Sequence, residues 1–476
     1  MSFTVAVFAA VFVVTQLLYL FALIHDLYML ARPVDWVELD DAGPDARAHA
    51  AAAPPPPRIV LLYPVLREPE ETMRTTFVGL AILDYPPDRY RVVAVPNHDD
   101  EDTIAALERL QFDFSFLEVL EVPPTSDPSW EPVWDSWEAT EKAYWWHTGA
   151  TARNRNLPPK KTRQLVYALY TIHDQETESD WLLNYIDADS VPPRDHLRAG
   201  AAGAARYDVV QSTNVAGNLL DTWAASWHAM DHMAWDGMRY AHMSAQGRHP
   251  YWVLGKGLFY HAPDLIDLGS FNPWVTIEDP EVGMRLWVNG RRLGIIASPL
   301  IEEVPLTLRR GFTQRKRWIC GFFQSLGRPL ALMGMRRRDR FHAWTNFLPC
   351  LSLAVNPIGI PVGLWALVEW IRGTSPLPVG LIVLAVATIV LYCISMSITY
   401  ASTWRRTALV LARRRDRVRY MLRVNPVFLW FYWLWWSVPI AVGLGMYLRD
   451  GGQVWERTEK VDAIHELVRE VVKREE

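Results

Sequence analysis

The sequence predicts an α/β domain, a mainly parallel sheet covered by helices, joined to an α-helical transmembrane region. Two patterns carry this. Between residues 58 and 308, short β-rich runs ("RIVLLYPV", "RVVAVP", "LEVLEV", "WLLNYI", "DVVQST") recur among helix-like stretches such as "EETMRTTFVGLAIL", "EDTIAALERL" and "KTRQLVYALYTI". That alternation is the signature of strands linked by crossover helices, whose ligands bind beyond the carboxyl ends of the strands. Outside this region lie long apolar runs, at Phe3–Ile24 and around 344–370, 376–400 and 427–448. The first carries no charge and is long enough to span hydrocarbon; without a basic n-region or a small-residue cleavage pattern it reads as an anchor.

The elements follow in order. Residues 1–30 form the N-terminal transmembrane helix, and 31–57 an Ala/Pro-rich tether containing "DDAGPDARAHAAAAPPPP", a composition that stays extended. The sheet domain occupies 58–310. Residues 311–341 mix basic and aromatic side chains and read as helices in the membrane interface. Residues 342–449 hold the C-terminal transmembrane helices, the first broken by Pro349, Pro357 and Pro361. The arginine-dense "RRTALVLARRRDRVRYMLR" between the last two is expected on the cytoplasmic side. That count carries the C-terminus outside, whereas the tail, 450–476, reads as a cytoplasmic amphipathic helix. A re-entrant or doubled passage in the Pro-rich run would restore the parity.

Composition narrows the function. The 476 residues are 50% hydrophobic with net charge -5, which excludes a general nucleic-acid binder. Cys320, Cys350 and Cys393 lack metal-ligand spacing. The 23 tryptophans are many, and several lie near the membrane-like segments. Those spans carry almost no polar residue until their ends, unlike a transporter's.

Three motifs carry candidate chemistry. In "IDADS", Asp187 and Asp189 end a strand, where both carboxylates reach one divalent cation; a solvated turn is the plainer alternative. In "WVTIEDPEVG", Glu278 and Asp279 follow a β-prone run and open a helix, either complementing its dipole or offering a general base. In "TLRRGFTQRKRWICG", Gln314, Arg317 and Trp318 could meet anionic lipid, or neutralise a diphosphate and stack on a sugar.

Their order along the chain, D-x-D, then E-D, then Q-x-x-R-W, between an N-terminal anchor and C-terminal spans, resembles the membrane-embedded family 2 glycosyltransferases, which include the cellulose, hyaluronan and chitin synthases. The resemblance implies a GT-A catalytic domain over 58–310, facing the cytoplasm, in an integral protein of the plasma membrane, the inner membrane of a bacterium. It implies Mg2+ or Mn2+ on Asp189 with Asp187, the latter beside the nucleotide. Asp279 would be the general base of the E-D element with Glu278. Gln314 and Arg317 would lie by the diphosphate and Trp318 by the acceptor. "LGKGLFYH" resembles the acceptor loop, with Gly255, Lys256 and Gly257 at its G-x-G and lysine a variation. "KTRQLVYAL" resembles the lysine-plus-helix element through Lys161, which would bind the nucleotide, with Val166 replacing its usual asparagine. The first acidic motif departs most: in "VPNHDDEDT", Asp99 or Asp100 would contact the base or ribose, or else cap the following helix. Glu68, after "LLYPVLR", would lie near the nucleotide.

The implied activity is inverting, metal-dependent hexosyl transfer from a nucleotide sugar, a UDP-sugar or GDP-mannose, to a growing β-linked polysaccharide coupled to translocation. Single addition to a membrane lipid is the alternative. "SWEPVWDSWEATEKAYWWHTG" offers Trp130, Trp134, Trp137, Trp145 and Trp146, as helix packing or as a sugar-stacking platform.

Overall fold

The computed structural model describes residues 3–39, 55–373, 377–450 and 468. Most of the tether and of the predicted amphipathic tail lies outside the described residues. Seven strands, β1 (Ile59–Pro64), β2 (Tyr90–Val95), β3 (Leu117–Val119), β4 (Leu182–Tyr185), β5 (Val209–Ala216), β6 (Leu258–His261) and β7 (Leu293–Glu302), form one sheet in the order β3-β2-β1-β4-β6-β5-β7. All neighbours are parallel except at β6, which runs antiparallel to β4 and β5. Every residue of β1, β4 and β5 is buried in a sheet covered on both faces, including the polar Gln211, Ser212, Thr213 and Asn214 of β5. β6 and β7 were not among the predicted strands. The first has four residues and lies inside the stretch read as an acceptor loop.

Residues 35–37, assigned to the tether, add to the sheet instead. Val37 N and the Asp35 carbonyl bond to Ile295 O and N at 2.9 and 2.8 Å. The β-prone "WVTI" is likewise not a strand but a turn. Thr276 N donates to the Gln324 side chain at 2.7 Å, and a Cβ on Gly321 would stand 2.3 Å from Ile277. A neighbouring helix thus supplies the partner that a ladder would have given.

The helices are α1 (Phe3–Leu30), α2 (Glu70–Leu80), α3 (Glu101–Asp113), α4 (Glu131–Ala139), α5 (Lys161–Gln175), α6 (His196–Ala204), α7 (Trp223–Ala234), α8 (Asp279–Val288), α9 (Leu308–Leu326), α10 (Arg337–Leu351), α11 (Asn356–Ile371), α12 (Val379–Val410), α13 (Arg414–Arg423) and α14 (Pro426–Asp450), with several short turns between. Threonine caps set two starts: Thr222 accepts from Ala225 N at 3.0 Å before α7, and Thr307 from Arg310 N at 3.2 Å before α9. Four segments are long and apolar enough to cross a membrane: Val5–Leu30, Arg337–Ile371, Val379–Val410 and Pro426–Arg449.

The Pro-rich run breaks as expected, with a 3-10 turn at Ser352–Val355 between α10 and α11. It is not doubled, however. His25, Tyr19 and Phe8 of α1 meet Asn346, Asn356 and Trp365 in turn, so the broken helix makes one antiparallel pass along the anchor. α14 packs lengthwise on α9: Trp436 lies by Arg315, Gly443 against Ile319, and Tyr447 stacks on Phe323. Val468, the described residue beyond 450, packs on Val191 of the sheet domain.

Two buried polar clusters join the domain to these helices. Arg315 of α9, fully buried, donates to Asp231 of α7 at 3.3 Å, and the same carboxylate oxygen accepts from Tyr432 (2.6 Å) and Trp436 (2.8 Å) of α14. A π-turn, Trp235–Arg239, follows α7. Its Arg239 holds Asp26 of α1 bidentately at 2.6 and 2.9 Å, while Ser395 of α12 donates to the same carboxylate at 2.6 Å.

Candidate active site

A cavity of about 240 Å³ opens beyond the carboxyl ends of β1 and β4, where an open α/β sheet places its ligands. Of the sequence-predicted residues, Glu68, Lys161, Asp187, Gly255, Lys256, Glu278, Asp279, Gln314, Arg317 and Trp318 line it. Asp99, Asp100, Asp189 and Gly257 do not.

The turn after β4 is pinned through the carbonyl between its two aspartates: Ala188 O accepts from Tyr63 (2.8 Å) and Thr76 (2.9 Å). Asp187 then faces the cavity with its side chain 32% exposed, while Asp189 is buried beneath. Lys161, the first residue of α5, places Nζ 2.6 Å from Asp187 Oδ1 and 3.6 Å from Glu278, and donates to the Gly255 carbonyl. Burial would lower its pKa, but Asp187, Glu278 and Asp279 outweigh that and raise it. Asp279 is the first residue of α8, and Glu278 precedes it at the cap position. Burial first, and then the Glu278 carboxylate, hold Asp279 well above the usual carboxylate range.

Asp100 stands at the start of α3 without capping it through its side chain. It accepts instead from Arg67 N at 2.6 Å, fixing the β1–α2 loop that carries Glu68. Asp99 is exposed. Gly257 has φ +64°, and a Cβ there would meet Leu300 at 2.4 Å, so the Gly255–Gly257 loop depends on this glycine. The five tryptophans are buried and pack on one another and on α5: Trp130, Trp134 and Trp146 stack at 5.5 Å, and Trp130 meets Tyr167. Packing, not an open platform, is their observed arrangement.

Sequence reasoning missed Lys160, Asp236, Tyr240, Glu302 and Glu303, all lining the cavity. "EEVP" at a strand end was a readable signal for the glutamates; nothing local announced Asp236, which the π-turn presents. His232 Nδ1 lies 2.9 Å from Glu302 and 3.3 Å from Asp236, and the three donors are close enough to hold a cation. Lys256 already pairs with Glu302, and the Arg406 charge acts on Asp236, so two cations balance these two carboxylates. Asp187 and Asp189 offer hard oxygen donors of the kind Mg2+ and Mn2+ take, and Lys161 already brings positive charge to Asp187. By donor type these two carboxylates suit a divalent cation, which would have to take the place of the Lys161 ammonium at Asp187.

Beside the cavity, and sharing Asp236, Tyr240, Trp318 and Phe322 with it, is a smaller chamber of about 60 Å³. It is walled by Trp235, Trp252, Ile319, Phe347, Cys350 and Trp436, and so reaches α10 and α14.

A family model described as Glycosyl transferase family group 2 matches residues 182–448, more than half the chain. No curated protein matches. Among solved structures, the mannosyltransferase PcManGT from Pyrobaculum calidifontis, in complex with GDP-Man and Mn2+, is 16% identical, with 94% of this chain and 99% of that one covered, at TM-score 0.49. Glucosyl-3-phosphoglycerate synthase from Mycobacterium tuberculosis, with Mn2+, UDP and glucosyl-3-phosphoglycerate, is 13% identical over 64% of this chain and 89% of that one, at 0.34. S. aureus TarS 1-349 in complex with UDP-GlcNAc is 12% identical over 67% and 88%, at 0.32.

Proposed function

From the premise that the chain belongs to glycosyl transferase family group 2, we propose that it is an inverting transferase moving a sugar from a nucleotide-sugar donor to an acceptor hydroxyl at the membrane. The observation that carries this reading is convergence. Asp187 after β4, Lys161 on α5, Glu278 and Asp279 at α8, and Gln314, Arg317 and Trp318 on α9 all face one cavity.

In this reading Trp318 and the Gly255–Gly257 loop seat the acceptor, and Asp279 takes the proton of its hydroxyl. The oxygen attacks the anomeric carbon as the bond to the diphosphate breaks, and that electron pair leaves on the diphosphate oxygen. In-line displacement inverts the carbon, giving a β-linkage from an α-linked donor. Arg317, with Gln314 beside it, meets the charge where it develops. Mg2+ or Mn2+ on Asp187 and Asp189 supplies further neutralisation of the diphosphate when bound. Glu68 lies on the nucleotide side, and Asp100 acts by fixing its loop. The donor is a UDP-sugar or GDP-mannose.

Two acceptors remain in view. The Q-x-x-R-W element points to a growing polysaccharide passed through the helices. The chamber beyond Trp318 favours single addition to a lipid, since its walls are mostly aromatic and apolar, with Asp231, His232 and Asp236 the exceptions, and its volume is a quarter of the main cavity's. The arginine loop around α13 argues for a cytoplasmic catalytic domain.

The test uses the full chain in detergent with Mg2+ or Mn2+ and a panel of nucleotide sugars, following nucleotide release and product size, with a chelator control. Chelator-sensitive release with one sugar on lipid supports the lipid acceptor, and a high-mass product the polymer. No release from any donor would overturn transfer itself.

A further inference from the structure

Twin lysines stand at the start of α5, and their surroundings differ sharply. Lys161 is committed to Asp187, the Gly255 carbonyl and Glu278. Lys160, one residue before it, is only 5% exposed and lines the same cavity. Its ammonium makes one long contact, 3.5 Å to the Val275 carbonyl, and among the described residues no carboxylate lies within ion-pair distance of it. A buried ammonium so poorly satisfied is costly until an anion completes it.

The anion is identified by what surrounds the lysine. Arg317 is close enough for its charge to act on Lys160, and two cations facing one cavity favour a polyanion there. Of the cavity carboxylates, Asp187 and Glu278 pair with Lys161 and Glu302 with Lys256, and the Glu278 charge reaches Lys160 only at longer range. In the transfer reading Trp318 meets the acceptor, and Arg317, beside it on α9, then stands by the sugar–phosphate bond that breaks.

We propose that Lys160 is a donor-binding residue that, with Arg317, receives the terminal phosphate of the nucleoside diphosphate, while Lys161 holds Asp187. This rests on the glycosyl-transfer reading above. The lysine's basicity suits that role. Burial, with the Arg317 charge adding to it, draws its pKa down to about 8 against the opposing pull of Cys320 and Glu278. An arriving phosphate then restores full protonation, so binding the diphosphate also settles the charge on Lys160.

The test is calorimetry on the full chain in detergent, with Lys160→Met, Lys160→Gln and Lys160→Arg beside the wild type. UDP, GDP, UMP and GMP are the probes, in Mg2+ and in Mn2+, and thermal melts establish which variants are folded. Lys160→Met and Lys160→Gln should weaken the bound diphosphate about tenfold or more, the scale of one charged hydrogen bond. Monophosphate affinity should stay within about twofold, because that ligand lacks the phosphate Lys160 receives. Lys160→Arg should recover most of the loss. Equal losses for mono- and diphosphate, or no loss in a folded variant, would overturn the assignment while leaving transfer intact. A wild type that binds none of the four nucleotides would instead remove the transfer reading, and this proposal with it.

Discussion

Gly255 and Asp279 are in contact: a methyl group on the glycine would stand 2.6 Å from the aspartate's Oδ1 and 2.8 Å from its Oδ2. The acceptor loop therefore sets how far the proposed base can lean, and its close approach needs a residue without a side chain. Gly255→Ala should push the carboxylate aside and cost about 100-fold in kcat, the usual toll of a 1 Å displacement at a reacting group. Nucleoside diphosphate affinity should change little. Steady-state kinetics with calorimetry checks this, and unchanged turnover would refute the contact's importance.

Asp279→Asn keeps the shape of the carboxyl and removes its basicity. Donor-nucleotide affinity should persist while turnover falls by about 10²–10⁴-fold, the range for a lost general base. Equal loss of both would assign Asp279 to binding instead.

The same substitution has a stability signature. Burial and the Glu278 charge raise the Asp279 pKa, so the folded chain holds this proton to higher pH than the unfolded chain does. That contribution is fully present below the unfolded pKa and is lost as pH rises through the folded value. In chelator, Asp279→Asn should melt above the wild type at neutral and alkaline pH and converge with it in acid. A constant gap across pH would contradict the shift.

Arg315 and Asp231 tie the Q-x-x-R-W helix to α14. The Arg315 guanidinium also lies 5.3 Å from the Trp318 ring and 5.5 Å from that of Trp436. Arg315→Ala leaves the largely buried Asp231 carboxylate, 12% exposed, without its cation and should cost at most about 3–5 kcal/mol. The double variant with Asp231→Asn should lose less than the sum of the two singles. Denaturation of all four proteins in one detergent measures the coupling; strict additivity would mean the pair does not act together.

Trp134→Ala distinguishes the two readings of the tryptophan cluster. A side chain stacked between Trp130 and Trp146 should cost about 3–5 kcal/mol on truncation. Donor and acceptor KM should be unaltered at temperatures where the variant is folded. A selective rise in acceptor KM would restore the sugar platform.

Much of this was legible in the chain because it is local. β1, β2 and β4 are largely apolar runs bounded by turns, β5 opens on a β-branched Val pair, and the D-x-D, E-D and Q-x-x-R-W elements each occupy one strand or helix end. What escaped notice depends on distant partners. β6 is four residues long and reads as strand only because β4 and β5 flank it. "WVTI" has strand composition, yet Gln324, 48 residues away, takes its backbone donor. Asp236 reaches the cavity through a π-turn that no periodicity reveals, and Lys160 differs from Lys161 only in what other elements bring near it. Asp100 suited a helix cap by spacing, but the nearby Arg67 amide bonds its carboxylate.

The grip of Arg239 on Asp26 has a practical consequence for anyone preparing this enzyme. Membrane anchors are routinely trimmed to obtain a soluble catalytic fragment. Here the trimmed fragment would expose the Arg239 side chain that Asp26 now covers, along with the surface where His25 meets Asn346. The first helix is a wall of the building, not a mooring line, and the smallest piece worth expressing begins with it.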